Sequence, residues 1–279
     1  MLSIASRVSA SFFALVFISG CATGSGPIAT YSLSDNLAAL NGFKKIFLKT
    51  SRFTLTAYTR ISHLGNPIHI YIEGDGVSWV SRTQLSDDPT PRKPLVLELA
   101  AMDASPNIAY LARPGQYSES GKPECDSSYW SDSRFSKEVV DSMNEAVENL
   151  AHQAGTEHIH LIGFSGGAAI AVLVASNRHD IDSLRTIAGN LDPDAVNKYH
   201  HVTRFKNSLN PIDVAEEIRN IPQRHFIGSS DRVVPLSVIE SFVRREGDKD
   251  DRRITLIDGV GHTKGWQEKW KKELYSSVF

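Results

Sequence analysis

A single serine stands among glycines at Gly163-Phe164-Ser165-Gly166-Gly167, with an apolar run before it and small residues after it. A G-x-S-x-G spacing suits a nucleophile on a sharp strand-to-helix turn, where side chains two places before and after the serine would collide. A serine hydroxyl attacks a carbonyl only when a base takes its proton, and a carboxylate best orients that base. The chain order that goes with this turn is serine, acid, histidine. HFIGSSDRVVP (225–235) places Asp231 just past a strand-like run, and ITLIDGVGHTKGW (254–266) places His262 in a glycine-containing loop past the last such run. The expectation is therefore Ser165 as nucleophile, His262 as base and Asp231 as acid. Asp192, after an earlier strand-like run, is the competing acid. Asp258 reads as a strand-end cap. His200 and His201 are the rival histidines, with a surface or pocket-wall role as the alternative.

Acyl transfer also needs donors for the oxyanion. One is the backbone N–H of Gly166, next after the nucleophile. The other is expected from IEGDGVSW (72–79), with the N–H of Asp75 first and that of Gly76 second; a plain tight turn is the alternative. The Asp75 carboxylate must then point away from the developing charge. Trp79, Tyr117, Tyr129 and Trp130 fall in loops expected on the same side and suggest a pocket for an apolar acyl or aryl group. Arg82 and Arg113 are candidates for binding an anionic group or for plain exposure.

These residues need a scaffold that brings strand ends together. From Phe43 onward strand-like and helix-like runs alternate, with eight strands, the early ones antiparallel. DSRFSKEVVDSMNEAVENLAHQAG (132–155) is the clearest helix, its apolar residues recurring at helical spacing and Gly155 ending it. GGAAIAVLVASNR (166–178) is apolar on most sides and should be buried. Residues 190–222 form a short, partly helical excursion, read as a partial cap. Such alternation predicts a mostly parallel sheet with helices on both faces and ligands at the carboxyl ends of its strands.

The chain has 279 residues, a formal net charge of −2 and 22% charged residues. With no basic excess, nucleic acid is not an expected partner. There is no H-E-x-x-H, C-x-x-C or Walker A sequence and no G-x-G-x-x-G after a first strand, so neither metal nor cofactor is expected. The two histidines of HIH (158–160) share a strand face and read as packing or surface residues. RREGDKDDRR (244–253) reads as a solvated loop.

Residues 1–20 are of another kind: one cation, Arg7, then an apolar run from Val8 to Ile18 too short to span a bilayer. They read as a signal segment, with a short buried helix as the alternative. Ile18-Ser19-Gly20-Cys21 resembles the bacterial lipobox. The resemblance implies that Cys21 is lipidated and leads the mature chain, anchoring it to a membrane. Residues 21–42, rich in Gly, Ser and Pro at first, read as a flexible tether.

From about Phe43 to Phe279 the chain resembles the α/β-hydrolase superfamily, on the strength of GFSGG, GSSD, GVGH and the glycine loop EGDG. YIEGDGVSW, DDPTPRKP, YLARPGQY and SLNP resemble a narrower group of bacterial hydrolases, often envelope-associated. In that group the position of Gly115 is commonly cysteine, which implies that Cys125 lacks a disulfide partner here and that the 113–130 loop is looser. The resemblance implies the α/β-hydrolase fold and a serine hydrolase, with a carboxylic ester as the expected substrate class. Other acyl-transfer chemistry on the same three residues (peptidase, amidase, thioesterase or acyltransferase) and a non-catalytic envelope lipoprotein are the alternatives. The lipobox implies the bacterial cell envelope, and Ala22 after the cysteine favours the outer membrane, facing the periplasm or the exterior.

Overall fold

The computed structural model describes residues 27–247 and 252–275. The signal segment and Cys21 lie outside them. Among the described residues, eight strands form one sheet in the order β1-β2-β4-β3-β5-β6-β7-β8. They are β1 (Lys44–Lys49), β2 (Thr54–Ile61), β3 (Ile68–Ile72), β4 (Asn107–Leu111), β5 (Ile159–Phe164), β6 (Ile181–Ile187), β7 (Gln223–Gly228) and β8 (Ile254–Ile257). β2 pairs antiparallel with both β1 and β4, and every other pairing is parallel. The sheet thus has the count and mostly parallel sense that the alternating pattern predicts.

Strand side chains alternate between two apolar layers. Ile70, Ile72, Ala109 and Leu111 belong to one, where they pack with α3 (Lys137–Ala154), α4 (Gly166–Ala175) and α6 (Leu236–Glu246). Tyr71 and Tyr110 belong to the other, with α1 (Pro27–Leu40), α2 (Leu95–Ala101) and α7 (Trp266–Leu274). Ser136 caps α3 by accepting from the Val139 N–H, and Gly155 ends it in the left-handed region. All ten residues of α4 are buried, as its apolar run requires.

Two sequence expectations are corrected. The tether expected over 21–42 is helix α1 from Pro27 onward. Tyr31, Ser34 and Ala38 form its buried stripe, Ser34 Oγ donates to Tyr117 Oη at 3.2 Å, and Tyr58 Oη donates to Asp35 at 2.6 Å. The stripe is polar and small, so a search for apolar periodicity passes over it. The excursion over 190–222, expected as a partial cap, contributes no residue to the lining of the cavity that holds Ser165. Its helix α5 (Pro193–Tyr199) leads into residues that border a surface groove, whereas Ala215 and Ile218 are buried in the core.

Candidate active site

Ser165 sits between the end of β5 and the start of α4, with φ 50° and ψ −117°. A non-glycine residue rarely adopts that backbone, and the surroundings hold it there. The Ser165 N–H donates to Ile187 O at 2.9 Å, and Ser165 O accepts from the Asn190 N–H at 3.0 Å. The flanking glycines are required by close approach. A Cβ at Gly163 would lie 2.5 Å from Ala168 Cα, and one at Gly167 2.3 Å from Ile72 O.

The sequence-predicted partners converge on this turn. Asp231 follows β7, and His262 follows β8. Asp231 Oδ1 accepts the N–H groups of Val233 and Val234 at 2.8 and 3.0 Å, which fixes the carboxylate. Its other oxygen lies 2.9 Å from His262 Nδ1. His262 Nε2 lies 3.0 Å from Ser165 Oγ. A carboxylate only accepts, so Nδ1 carries the proton of the neutral imidazole and Nε2 is left to accept the Ser165 O–H. The ring is seated beside Phe164, 5.2 Å between centroids, and the Trp266 indole N–H donates to His262 O at 2.9 Å. A hydroxyl so placed can pass its proton to the imidazole as it attacks.

The rivals lie elsewhere. Asp192 caps α5 and accepts from the Asn210 amide at 2.9 Å. Asp258 accepts from Ser229 Oγ at 3.2 Å. His200 Nε2 is engaged with Val233 O at 2.7 Å, and His201 lines the neighbouring groove. His158 pairs with Asp182, and His160 lies beside Ser183 and His69.

Ser165 and His262 open into a cavity of about 830 Å³ that Asp75, Gly76 and Trp79 also line. Gly166 heads α4, so its N–H has no acceptor within the helix and is free for a ligand. The cavity's apolar wall includes Leu33, Leu95, Phe164 and Val233, and Arg92, Lys93 and Lys264 stand on its lining as well. A second groove of about 920 Å³ shares Trp79 and Arg134 with it and includes Arg82.

Three of the four aromatic residues expected in the pocket are not there. Tyr117 is fully buried among Tyr31, Tyr58 and Tyr110. Tyr129 packs on Phe53, 4.8 Å between centroids. Trp130 is buried and donates its indole N–H to Ser86 O at 3.1 Å. The loop that carries them folds back beside β1 and β2 instead of over Ser165. Arg113 is buried too, directed at Asp75. Gly115 and Cys125 line one small surface pocket, and burial pushes the free Cys125 thiol up to about 11.

Two residues at the site were not singled out from the sequence. Glu73 lines the cavity floor, accepting from the Gly74 N–H at 2.8 Å and from Tyr110 Oη at 2.9 Å. Burial pushes its carboxyl up to about 7. Arg134 lines both cavities and pairs with Asp75 at 2.6 Å. EGDG points toward the first; nothing local marks the second.

Residues 93–262 match the family model of serine hydrolases described as Serine hydrolase (FSH1). The chain belongs to the FSH1 serine hydrolase family. It is an enzyme of the α/β-hydrolase superfamily. Solved structures share the fold of this family member at low identity. The Pyrococcus furiosus esterase Pf2001 is 15% identical with a TM-score of 0.59, over 83% of this chain and 88% of that one. Est1E from Butyrivibrio proteoclasticus is 13% identical with a TM-score of 0.55, over 82% and 95%. TT1662 from Thermus thermophilus is 17% identical with a TM-score of 0.54, over 83% and 95%. No curated protein matches the chain.

Proposed function

We propose that this serine hydrolase is a carboxylic ester hydrolase that works through an acyl-enzyme on Ser165. The observation that carries the reading is the hydrogen-bonded series Ser165–His262–Asp231 at the wall of a partly apolar cavity. Ser165 Oγ attacks the ester carbonyl carbon while His262 Nε2 takes the hydroxyl proton. The N–H groups of Gly166 and Asp75, with Gly76 as the second candidate, receive the oxyanion. The tetrahedral adduct collapses, the C–O bond to the alcohol breaks, and the alcohol leaves with the proton from Nε2. A water then attacks the acyl carbon as Nε2 takes its proton. The carboxylic acid departs and Ser165 regains its hydrogen. Asp231 holds the Nδ1–H tautomer and stabilises the imidazolium in both halves.

Phe164, Leu95 and Trp79 support an apolar acyl or aryl group in the cavity. Hydrolysis of p-nitrophenyl esters from acetate to laurate, beside matching anilides and thioesters, tests the reading. Ester turnover that Ser165→Ala abolishes supports it. Turnover of anilides or thioesters in preference to esters moves the enzyme to another acyl-transfer class.

The lipobox-like Ile18–Cys21 supports a lipid anchor on Cys21 after loss of residues 1–20, and Ala22 supports the outer membrane as its site. Pro27 of α1 is six residues from Cys21, which spans at most roughly 20 Å. Leu33 of the same helix lines the cavity. An anchored enzyme would therefore hold its cavity near the bilayer. Incorporation of labelled palmitate that Cys21→Ser abolishes is the test.

A further inference from the structure

A charge cluster that the mechanism above does not use lies against the oxyanion donors. The Asp75 carboxylate rests on Gly166: a Cβ at Gly166 would come within 2.0 Å of Oδ1 and 3.0 Å of Oδ2. An anion thus touches the residue whose N–H faces the developing oxyanion. Alone, it would raise the energy of that oxyanion, because like charges repel strongly where water is largely excluded.

Two guanidinium groups meet this carboxylate. Arg134 Nη1 lies 2.6 Å from Oδ2, and Arg113 Nη1 lies 3.5 Å from Oδ1. Both arginine side chains are at least nine-tenths buried, with 10% and 5% exposure. Each is held from behind. Arg134 Nε donates to Ser131 O at 2.8 Å and its guanidinium lies 4.5 Å from the Phe205 ring centroid. Arg113 donates to the Arg134 carbonyl and lies 5.3 Å from the Phe135 ring centroid. Burial pushes Arg113 down only to about 10, so it is a cation at neutral pH. The two guanidiniums offset the Asp75 charge and that of Glu73, the other carboxylate that Arg113 attracts, once it ionises at about 7. The pairing also ties the EGDG loop to the segment around residue 134, far along the chain.

We propose that Arg134 is a positioning residue for acyl transfer, which neutralises Asp75 and fixes its loop against Gly166 so that the oxyanion does not form beside an uncompensated negative charge. The inference rests on the Ser165 mechanism proposed above. A bridge that served stability alone would leave kcat unmoved once the protein had folded.

The test is kcat and KM for p-nitrophenyl acetate in Arg134→Gln, Arg134→Lys and Asp75→Asn/Arg134→Gln, with thermal midpoints alongside. Removing Arg134 takes away the close 2.6 Å partner and leaves the carboxylate only the 3.5 Å contact with Arg113, so Arg134→Gln should lower kcat about 10²-fold, the scale of one lost oxyanion donor, with KM within about threefold. Removing the carboxylate as well should return at least about tenfold of that loss, and Arg134→Lys should stay within about tenfold of wild type. Wild-type kcat in Arg134→Gln, or a double variant no faster than the single, overturns the proposal. If Arg134→Gln does not fold, the double variant is compared with Arg134→Lys: rates within about tenfold sustain the proposal and a double variant slower by about 10² or more overturns it. A wild-type protein with no turnover and no reaction with a fluorophosphonate defeats the Ser165 mechanism itself, a result distinct from any of these.

Discussion

Glu73→Gln should flatten one component of the stability–pH profile. Glu73 is buried at the cavity floor, and burial holds its carboxyl at about 7 against an ordinary 4.5, with hydrogen bonds from Gly74 and Tyr110 working the other way. Below pH 4.5 the folded and unfolded states both carry the proton, and this group contributes its full share. Between 4.5 and 7 the unfolded chain releases the proton while the folded chain keeps it, so stability falls as pH rises. Above 7 both states are ionised and the loss is complete. The interval corresponds to roughly 3 kcal/mol, or about 5–10 °C in thermal midpoint for a chain of this size. Glutamine keeps an acceptor for Gly74 and cannot ionise. The variant should therefore gain on wild type by about that margin between pH 5 and 8.5. The difference between the two proteins is the quantity to read, because burial also pushes His160 down to about 4, with the opposite sign between 4 and 6.5. Thermal unfolding followed by circular dichroism across pH 5 to 8.5 is the assay. A constant difference across that range refutes the buried-acid account.

Three further perturbations have defined outcomes. Gly167→Ala places a Cβ 2.3 Å from Ile72 O and 2.4 Å from Glu73 O. It should destabilise by about 2 kcal/mol or more and abolish activity, read by urea unfolding and ester turnover. Ser165→Gly relieves a residue at φ 50° and should raise stability by about 1 kcal/mol while removing activity; an unchanged midpoint would show the turn to be unstrained. Asp231→Asn should lower kcat by about 10⁴ through loss of the correct imidazole tautomer, with the Val233 and Val234 N–H contacts still available to the amide oxygen.

The candidate site was legible where it is local. Ser165 is announced by glycines whose absent side chains the turn demands, and Asp231 and His262 by their places after the last two strands. The eight strands followed from apolar runs with clear breaks. What the sequence hid depends on long-range packing. Helix α1 buries Tyr31 and Ser34 against tyrosines of distant elements, and its polar stripe has no apolar period. The 113–130 loop carries aromatic residues, but its path is set by partners such as Phe53, Ser86 and Thr90. Aromatic composition could not tell a pocket wall from a buried brace. Arg134 reaches Asp75 across 59 positions, and no local pattern marks such a pair. Glu73 was visible in EGDG, but its role as a buried acid follows from β3 and β4 bringing it beside Tyr110.

The central claim is that His262 and Asp231 activate Ser165. Its most direct test is reaction of the purified protein with a fluorophosphonate, followed by mass spectrometry of the peptide that contains Ser165. The account predicts one adduct on Ser165, absent in Ser165→Ala and formed far more slowly in His262→Ala. A folded protein that takes no adduct, or one whose labelling rate is the same without His262, contradicts it.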